Sequence, residues 1–228
     1  MNEIIIQHLM EVELFQGFDP VALKLILEQY RTPLLVYPAD HLVMLRGDSI
    51  ESLHILIKGQ LRAQIQGLNG KNLRIEVLKT HQIVASGILF SRDNRLPVSL
   101  YTETEVEMLS IPKTAVLALC RENQDFILSY FTEMGDKITF LAEKIRLFQF
   151  TTIKQKIAGY LLGQTGDRKL STIRLVYGRE VLAELMSVTR PALSREISAL
   201  VHDGIIEVQG RVVNITDRQA LEDLLADG

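Results

Sequence analysis

The sequence predicts an α+β protein with three parts: an N-terminal antiparallel β-roll with flanking helices, a long dimerisation helix and a C-terminal winged helix-turn-helix. Three observations predict this class. Residues 32–111 carry short runs of Val, Ile and Leu separated by turn residues. Residues 127–148 repeat apolar side chains at heptad spacing. Residues 179–215 combine two short amphipathic helices with a β-hairpin pattern, and a length of 228 residues leaves room for two compact domains.

Alternating apolar residues predict the strands of the roll. Leu53, Ile55 and Ile57 alternate with other side chains, as expected for a half-buried strand. The dipeptide Asn69-Gly70 is a strong hairpin signal. Continued runs at short intervals predict about eight antiparallel strands. After a small helical preamble, the roll domain is therefore assigned to residues 1–121, and such a roll can enclose a small ligand.

The segment 122–150 is predicted to be one long dimerisation helix. Seven apolar residues recur along it at alternating spacings of four and three: Ile127, Phe131, Met134, Ile138, Leu141, Ile145 and Phe148. This seam predicts pairing with a second copy across a two-fold axis. The alternative is a stripe that packs only on the chain's own sheet. Four apolar residues off the seam provide a second surface for the roll, which favours the dimer: Phe126, Tyr130, Phe140 and Leu147.

The strongest single signal lies between Arg179 and Val201, within a domain assigned to residues 151–228. A short helix is followed by a tight turn and by a second helix whose N-cap is Thr189 and whose first turn contains Pro191, where the missing N–H is harmless. Two short strands after this helix predict a β wing. Helix, turn, helix and wing together are typical of double-stranded DNA binding.

Charge and cysteine content narrow the function further. The net charge is −3, and residues 151–228 carry ten basic and ten acidic side chains, so any DNA binding depends on local geometry. The single cysteine, Cys120, rules out an internal disulfide and an iron-sulfur cluster held by one chain. The N-terminus lacks a secretory signal and no apolar stretch is long enough to span a membrane, which predicts a cytoplasmic protein.

An enzyme is not expected, because the sequence contains no nucleophile elbow, P-loop, paired-carboxylate motif or HExxH motif. A ligand-binding module that signals to proteins without binding DNA is a second alternative. Such a module would have no use for a winged helix-turn-helix, so the C-terminal domain separates the two hypotheses.

Two segments carry a resemblance to a known family. The runs REVLAEL at 179–185 and VTRPALSR at 188–195 resemble the cyclic-AMP receptor protein and fumarate-nitrate regulator (Crp/Fnr) superfamily, and the order of domains is similar over nearly the whole chain. The resemblance implies a homodimeric transcription regulator with RNA polymerase as a partner. It implies base reading by Arg190 and Arg195 and phosphate anchoring by Arg179. The full set of expected DNA-contacting residues is Arg179, Thr189, Arg190, Pro191, Ser194, Arg195, Ser198 and Arg211.

The recognition helix departs from the family pattern at Pro191, where many members carry a glutamate. A carboxylate would accept a hydrogen bond from a cytosine amino group, and proline cannot. The pair Ser194-Arg195 is similar to the fumarate-nitrate branch. We therefore expect a half-site that differs at one base pair from those of both founding branches.

The family's cyclic-nucleotide site uses a Gly-Glu pair and an Arg-Ser or Arg-Thr pair, which correspond here to Ala85-Ser86 and Leu96-Pro97. A buried cyclic phosphate needs a cation, and these positions provide none. The resemblance therefore implies that cyclic AMP is not bound in the familiar manner, unless Arg92 or Arg95 serves through a different alignment. The predicted effector pocket comprises Ser86, Gly87, Leu96, Pro97, Leu141 and Ala142.

The sequence does not identify the effector. Haem is chemically possible, since some family members sense diatomic gases or nitrosative stress with it. The alternative function is therefore a haem-based sensor of nitric oxide or redox state within the same family. The candidate axial ligands are His41, His54, His81, Met44 and Met108. No histidine pair has a metal-binding spacing, so no metal site is assigned.

Overall fold

The computed structural model describes residues 2–66, 72–166 and 170–226. The chain divides into two compact units, Met1–Asp136 and Lys137–Gly228. The first unit begins with two α-helices and a 3-10 turn, Glu13–Phe15. The helices and strands up to the end of the roll are α1 (Glu3–Met10), α2 (Pro20–Gln29), β1 (Leu34–Tyr37), β2 (Leu42–Met44), β3 (Ser52–Lys58), β4 (Gln60–Gln66), β5 (Asn72–Lys79), β6 (Ile83–Val84), β7 (Ser99–Thr102) and β8 (Val106–Pro112).

The eight strands found in the described residues of the first unit form two antiparallel sheets, with orders β1-β8-β3-β6 and β2-β7-β4-β5. This confirms the predicted roll and its number of strands. β4 and β5 pair with Gln66 opposite Asn72, as a hairpin requires. The predicted hairpin dipeptide Asn69-Gly70 lies outside the described residues.

Strand β3 is buried on both faces rather than on one. Leu53 and Ile55 are buried as predicted, but His54 and Leu56 on the other face are buried as well. Helices α1 and α3 (Lys113–Glu122) contact this strand, so they supply the second cover. The alternation in the sequence therefore gives the strand's periodicity correctly but not its full burial.

The histidine side chain of His54 is buried in the core, where the residue is 7% exposed. Among the described residues, its Nδ1 atom has no hydrogen-bond partner. Burial lowers the pKa of His54 to about 4, because the charged imidazolium would lose its hydration. The unfolded chain binds this proton near pH 6.5, so the folded state loses stability as the pH falls between these two values.

We therefore expect His54 to make the protein acid-sensitive. The free energy of unfolding should fall by about 2 kcal/mol from pH 7 to pH 5 through this residue alone. Urea denaturation of wild type and His54→Leu at both pH values measures it, since leucine has a similar volume and no proton to gain. An equal pH dependence in both proteins would contradict the assignment.

Helix α3 was not predicted, although Ala115, Val116 and Leu119 have helical spacing and are buried. The C-cap of α3 is Asn123. Its side-chain Oδ1 accepts hydrogen bonds from the backbone N–H groups of Asp125 and Phe126. This cap starts α4 (Gln124–Phe148), which lies two residues inside the predicted range 122–150 at each end.

Helix α4 contributes to both hydrophobic cores. Phe126 and Tyr130 are buried in the core of the first unit, as predicted. Phe140 and Leu147 are instead buried in the core of the second unit. The prediction that all four pack on the roll is therefore wrong for the C-terminal half of the helix, because the division between the units falls inside α4.

The second unit is the predicted winged helix-turn-helix. The three strands in its described residues are β9 (Thr172–Arg174), β10 (Ile206–Gln209) and β11 (Val212–Ile215). They form an antiparallel sheet of order β10-β11-β9, and the hairpin of β10 and β11 is the wing. The last helix was not predicted, although the i,i+4 pair Arg218 and Glu222 is a helical signal. The remaining elements are α5 (Ile153–Thr165), α6 (Arg179–Leu185), α7 (Arg190–His202) and α8 (Arg218–Ala226).

Candidate nucleic-acid interface

The turn between α6 and α7 has the local chemistry that the sequence predicts. Ser187 has φ of +56°, which reverses the chain direction after α6. Thr189 is the N-cap of α7 and accepts a hydrogen bond from the Ala192 N–H at 3.4 Å. Pro191 lies in the first turn of the helix. The two helices are therefore joined by a short, defined turn.

Helix α7 has one buried and one exposed face. Leu193, Ile197 and Leu200 are buried in the core of the second unit. The opposite face carries the predicted base-reading and flanking side chains, and all but the half-buried Ser194 are exposed: Arg190, Pro191, Ser194, Arg195 and Ser198. A helix with this narrow polar face has the dimensions to enter a major groove.

Arg179, the first residue of α6, is half-buried. Burial lowers its pKa, because the protein removes part of the water around the guanidinium. Within the described part of the chain, no carboxylate forms an ion pair with Arg179, Arg190 or Arg195. A partly desolvated cation without a partner gains most from a phosphate supplied by a ligand.

The wing brings a further arginine to the same side as Arg179. Arg211 lies in the turn between β10 and β11 and is exposed. Its Nη2 atom lies 3.8 Å from the position that a Cβ on Gly178 would occupy, so the wing turn lies beside the start of α6. The backbone of Arg211 is fixed by the Leu175 N–H, which donates to its carbonyl at 2.8 Å.

Two family models match this chain, one on each domain. Residues 155–224 match the Crp-like helix-turn-helix domain, and residues 34–123 match the cyclic nucleotide-binding domain. The chain belongs to the Crp/Fnr superfamily. As a member of this superfamily it is a DNA-binding transcription regulator, and the matched ranges coincide with the roll and with the winged helix-turn-helix.

Relatives of the superfamily cover most of the chain. A protein of Mycobacterium tuberculosis, a CRP-like cAMP-activated global transcriptional regulator, is 20% identical over 213 residues, which cover 91% of this chain and 94% of its own. The catabolite activator protein of Thermus thermophilus has the same fold, with a TM-score of 0.53, 19% identity and coverage of 94% and 99%. A transcriptional regulator from Thermotoga maritima is 31% identical, with a TM-score of 0.50, over 57% of this chain and 98% of its own. These relatives are regulators rather than enzymes.

In this Crp/Fnr chain, the predicted effector residues have very different surroundings. Ser86 is buried, and its carbonyl accepts a hydrogen bond from the Tyr130 hydroxyl at 2.7 Å. Leu96, which the resemblance aligns with a phosphate-binding arginine, is part of the roll core. Gly87 and Pro97 are exposed. The remaining two predicted residues, Leu141 and Ala142, are exposed on α4 in the second unit.

The two arginines of the alternative alignment are on the surface. Arg95 is exposed, its Nε lies 3.7 Å from Asp93 and its Nη1 donates to the Gly47 carbonyl at 3.5 Å. Arg92 is also exposed. Both guanidinium groups of this loop therefore belong to exposed residues, whereas Leu96 between them and β7 is buried.

The backbone of this loop contains a left-handed residue. Ala85, which the resemblance aligns with the family's glycine, has φ of +57°, in the left-handed region that glycine favours. The methyl group makes this conformation cost about 1–2 kcal/mol. Contacts of the neighbouring Ser86 with α4 hold the loop in place, since the Ser86 hydroxyl also lies 3.5 Å from the Glu133 carboxylate.

The candidate haem ligands do not form a site that fits a porphyrin. His54 is enclosed by the core, so a porphyrin could reach its ring only if the core opened. Both ring nitrogens of His81 have partners, Nε2 with His8 at 2.9 Å and Nδ1 with Glu11 at 3.3 Å. Met108 is fully buried, Met44 is half-buried and His41 is exposed. Within residues 2–66, 72–166 and 170–226, no group of three or more metal-binding side chains is assembled.

Sequence reasoning missed a cleft in the first unit. It has a volume of about 310 Å³ and lies between the 3-10 turn, the turn before β6 and the start of α4. Glu13, His81, Glu133 and Asp136 line it together with apolar side chains. Nothing in the local spacing predicts the cleft, because its three walls are far apart in the sequence.

No described helix is both long enough and apolar enough to cross a bilayer.

The predicted seam of α4 is largely uncovered. Phe131, Ile138, Leu141, Ile145 and Phe148 are exposed, with Ile145 at 73%. Two predicted members differ, since Ile127 is half-buried and Met134 packs partly against the roll core. Leu128, which the prediction omits, is 64% exposed. The exposed apolar stripe therefore begins at Leu128 rather than at Ile127.

Proposed function

We propose that this protein is a homodimeric regulator that reads a palindromic promoter site in response to an effector other than cyclic AMP. The observation that carries the DNA-reading part is that, among the described residues, no carboxylate forms an ion pair with Arg179, Arg190 or Arg195 of the helix-turn-helix. In this proposal Arg190 and Arg195 read bases, and Arg179 and Arg211 bind phosphates. Thr189, Pro191, Ser194 and Ser198 line the same interface.

The exposed stripe on α4 supports the homodimer. An apolar face of this length is unfavourable in water, and pairing with an identical helix would bury it. To read a palindrome, the two recognition helices of such a dimer would have to lie about 34–36 Å apart, which is the spacing of successive major grooves. We accordingly assign effector binding to residues 1–121, dimerisation to 122–150 and DNA binding to 151–228. RNA polymerase is the expected protein partner at the promoter.

The chemistry of the loop at 85–97 supports an effector that is not a cyclic nucleotide. The positions at which the superfamily binds the ribose and the phosphate carry Ser86 and the core residue Leu96. Effector binding would act by population shift, favouring one of two poses of α4. Cyclic AMP at millimolar concentration should leave DNA affinity unchanged, and a clear change in affinity would contradict this part of the proposal.

A mobility-shift titration on the DNA upstream of the protein's own coding sequence tests the DNA-reading part. Wild type should bind with an affinity that falls steeply as salt rises, because bound phosphates release counterions. Arg179→Ala should weaken binding to operator and random duplexes alike and reduce the slope of log K against log salt by about one. If wild type shows no salt-sensitive binding, with or without cell extract as a source of effector, the regulator assignment fails.

A further inference from the structure

Lys156 lies on α5 at the meeting point of three elements of the second unit. Its ammonium group donates a hydrogen bond to the backbone carbonyl of Met186 at 2.8 Å. The same ammonium lies 5.9 Å from the ring centroid of Phe148. Met186 is the C-cap of α6 and starts the helix-turn-helix turn, whereas Phe148 is the last residue of α4. One side chain therefore contacts both the end of the long helix and the turn before the recognition helix.

The turn depends on this hydrogen bond for one of its buried groups. The N–H groups of Met186, Ser187 and Val188 all donate back to carbonyls within α6. The Met186 carbonyl instead accepts from Lys156, and Met186 is 2% exposed. Removal of the ammonium would leave a buried acceptor without a partner, which is costly. The left-handed Ser187 next to it adds strain that the surroundings must hold.

The other side of the junction is also fixed. Arg146, two residues before the end of α4, forms an ion pair with Glu143. Its guanidinium also donates to the carbonyl of Gly159 on α5 at 3.1 Å. α5 is therefore attached to the end of α4 at Gly159 and to the helix-turn-helix turn through Lys156. A displacement of the end of α4 relative to α5 changes the distance from Phe148 to the ammonium.

We propose that Lys156 is a positioning residue for DNA recognition, which links the end of α4 to the pose of α7 through the Phe148 ring and the Met186 carbonyl. The ammonium attracts the face of the ring and at the same time holds the first carbonyl of the turn. In this role Lys156 touches no base. The inference rests on the proposed function, since it concerns how the recognition helix is oriented on DNA.

The test compares three variants by their ratio of affinities for the operator and for a random duplex. Lys156→Met keeps the aliphatic stem but cannot hold the carbonyl, and should lower this ratio about tenfold. Lys156→Arg should restore it to within about twofold. Lys154→Met is the matched control, because it removes a positive charge from the same helix turn but pairs with Asp203 at 3.5 Å rather than with the turn. It should leave the ratio within about twofold of wild type.

The salt dependence separates positioning from direct phosphate contact. If Lys156 positions α7, Lys156→Met should keep the wild-type slope of log K against log salt while the ratio falls. If it binds a phosphate, both affinities should fall together and the slope should decrease by about one, which would overturn the proposal. Thermal unfolding by circular dichroism shows whether each variant is folded, and the arginine variant keeps the test decisive if the methionine variant is not.

A double-mutant cycle with Phe148→Leu tests the link to α4, since leucine stays apolar but offers no ring face. Phe148→Leu should lower the ratio about threefold, and the double variant should lose no more than Lys156→Met alone. If the double variant instead loses the product of the two single-variant losses in this ratio, the link between Phe148 and Lys156 is overturned. All proteins are compared at concentrations where sedimentation gives the same oligomeric state. If wild type itself shows no preference for the operator, the proposed function fails, and that result is distinct from an unchanged ratio in Lys156→Met.

Discussion

Ile138→Asp is expected to give a folded monomer that has lost most of its affinity for the full DNA site. The Ile138 side chain is 66% exposed in the single chain, so a carboxylate there meets water and costs little folding free energy. Across a two-fold seam, two copies of the charge would be buried against apolar side chains and against each other. We expect the dimer to dissociate at micromolar concentration and the affinity for a palindrome to fall at least about a hundredfold.

Sedimentation velocity gives the oligomeric state, and a mobility shift on whole and half sites gives the affinity. Thr139→Asp is the matched control, because it places the same charge on an exposed neighbouring position outside the stripe. This control should remain dimeric and bind as wild type does. Wild-type binding of the full site by a monomeric Ile138→Asp protein would show that the stripe has another purpose.

Arg195→Ala is expected to lose sequence preference while it keeps most of its nonspecific affinity. Arg195 is exposed on α7 and, within the described residues, has no carboxylate partner, so its guanidinium is free to form the bidentate pair with a guanine. Each such pair contributes about 1–3 kcal/mol of discrimination. The operator-to-random ratio should therefore fall about tenfold to a hundredfold, with only a small change in affinity for random DNA.

Arg195→Lys is the informative comparison, since it retains the positive charge but lacks the planar fork. It should lose nearly as much preference as the alanine variant. The readout is a competition titration with single-base variants of each half-site. If the preference at every base pair survives in Arg195→Ala, the base-reading assignment fails, and Arg190 becomes the residue to test.

The sequence predicted the winged domain well because its decisive signals are local. The N-cap Thr189, the first-turn Pro191 and the buried stripe of α7 all lie within about three helical turns. The seam of α4 was predicted less well. Ile127 and Leu128 are both apolar, and heptad spacing alone does not reveal that Ile127 is half-buried whereas Leu128 is exposed.

In the effector region, backbone conformation and burial could not be predicted from the sequence. Correspondence with the family identified Ala85 and Leu96 as altered positions. It did not predict that Ala85 keeps the left-handed backbone or that Leu96 joins the core. The cleft beside Glu133 could not be predicted either, because it depends on how distant segments meet. Helix α3 was missed since it follows β8 without a linker.

Because α4 contributes side chains to both hydrophobic cores, it limits where the chain can be divided into fragments that fold. A fragment that begins at residue 151 would contain the whole helix-turn-helix but lack Phe140 and Leu147, two large side chains of its core. Its interior would open on one side, and the exposed surface would favour aggregation over autonomous folding. An independently folding DNA reader therefore has to begin at the middle of the long helix, near Lys137. The part of the exposed apolar stripe from Ile138 onwards therefore belongs to the same folding unit as the DNA reader.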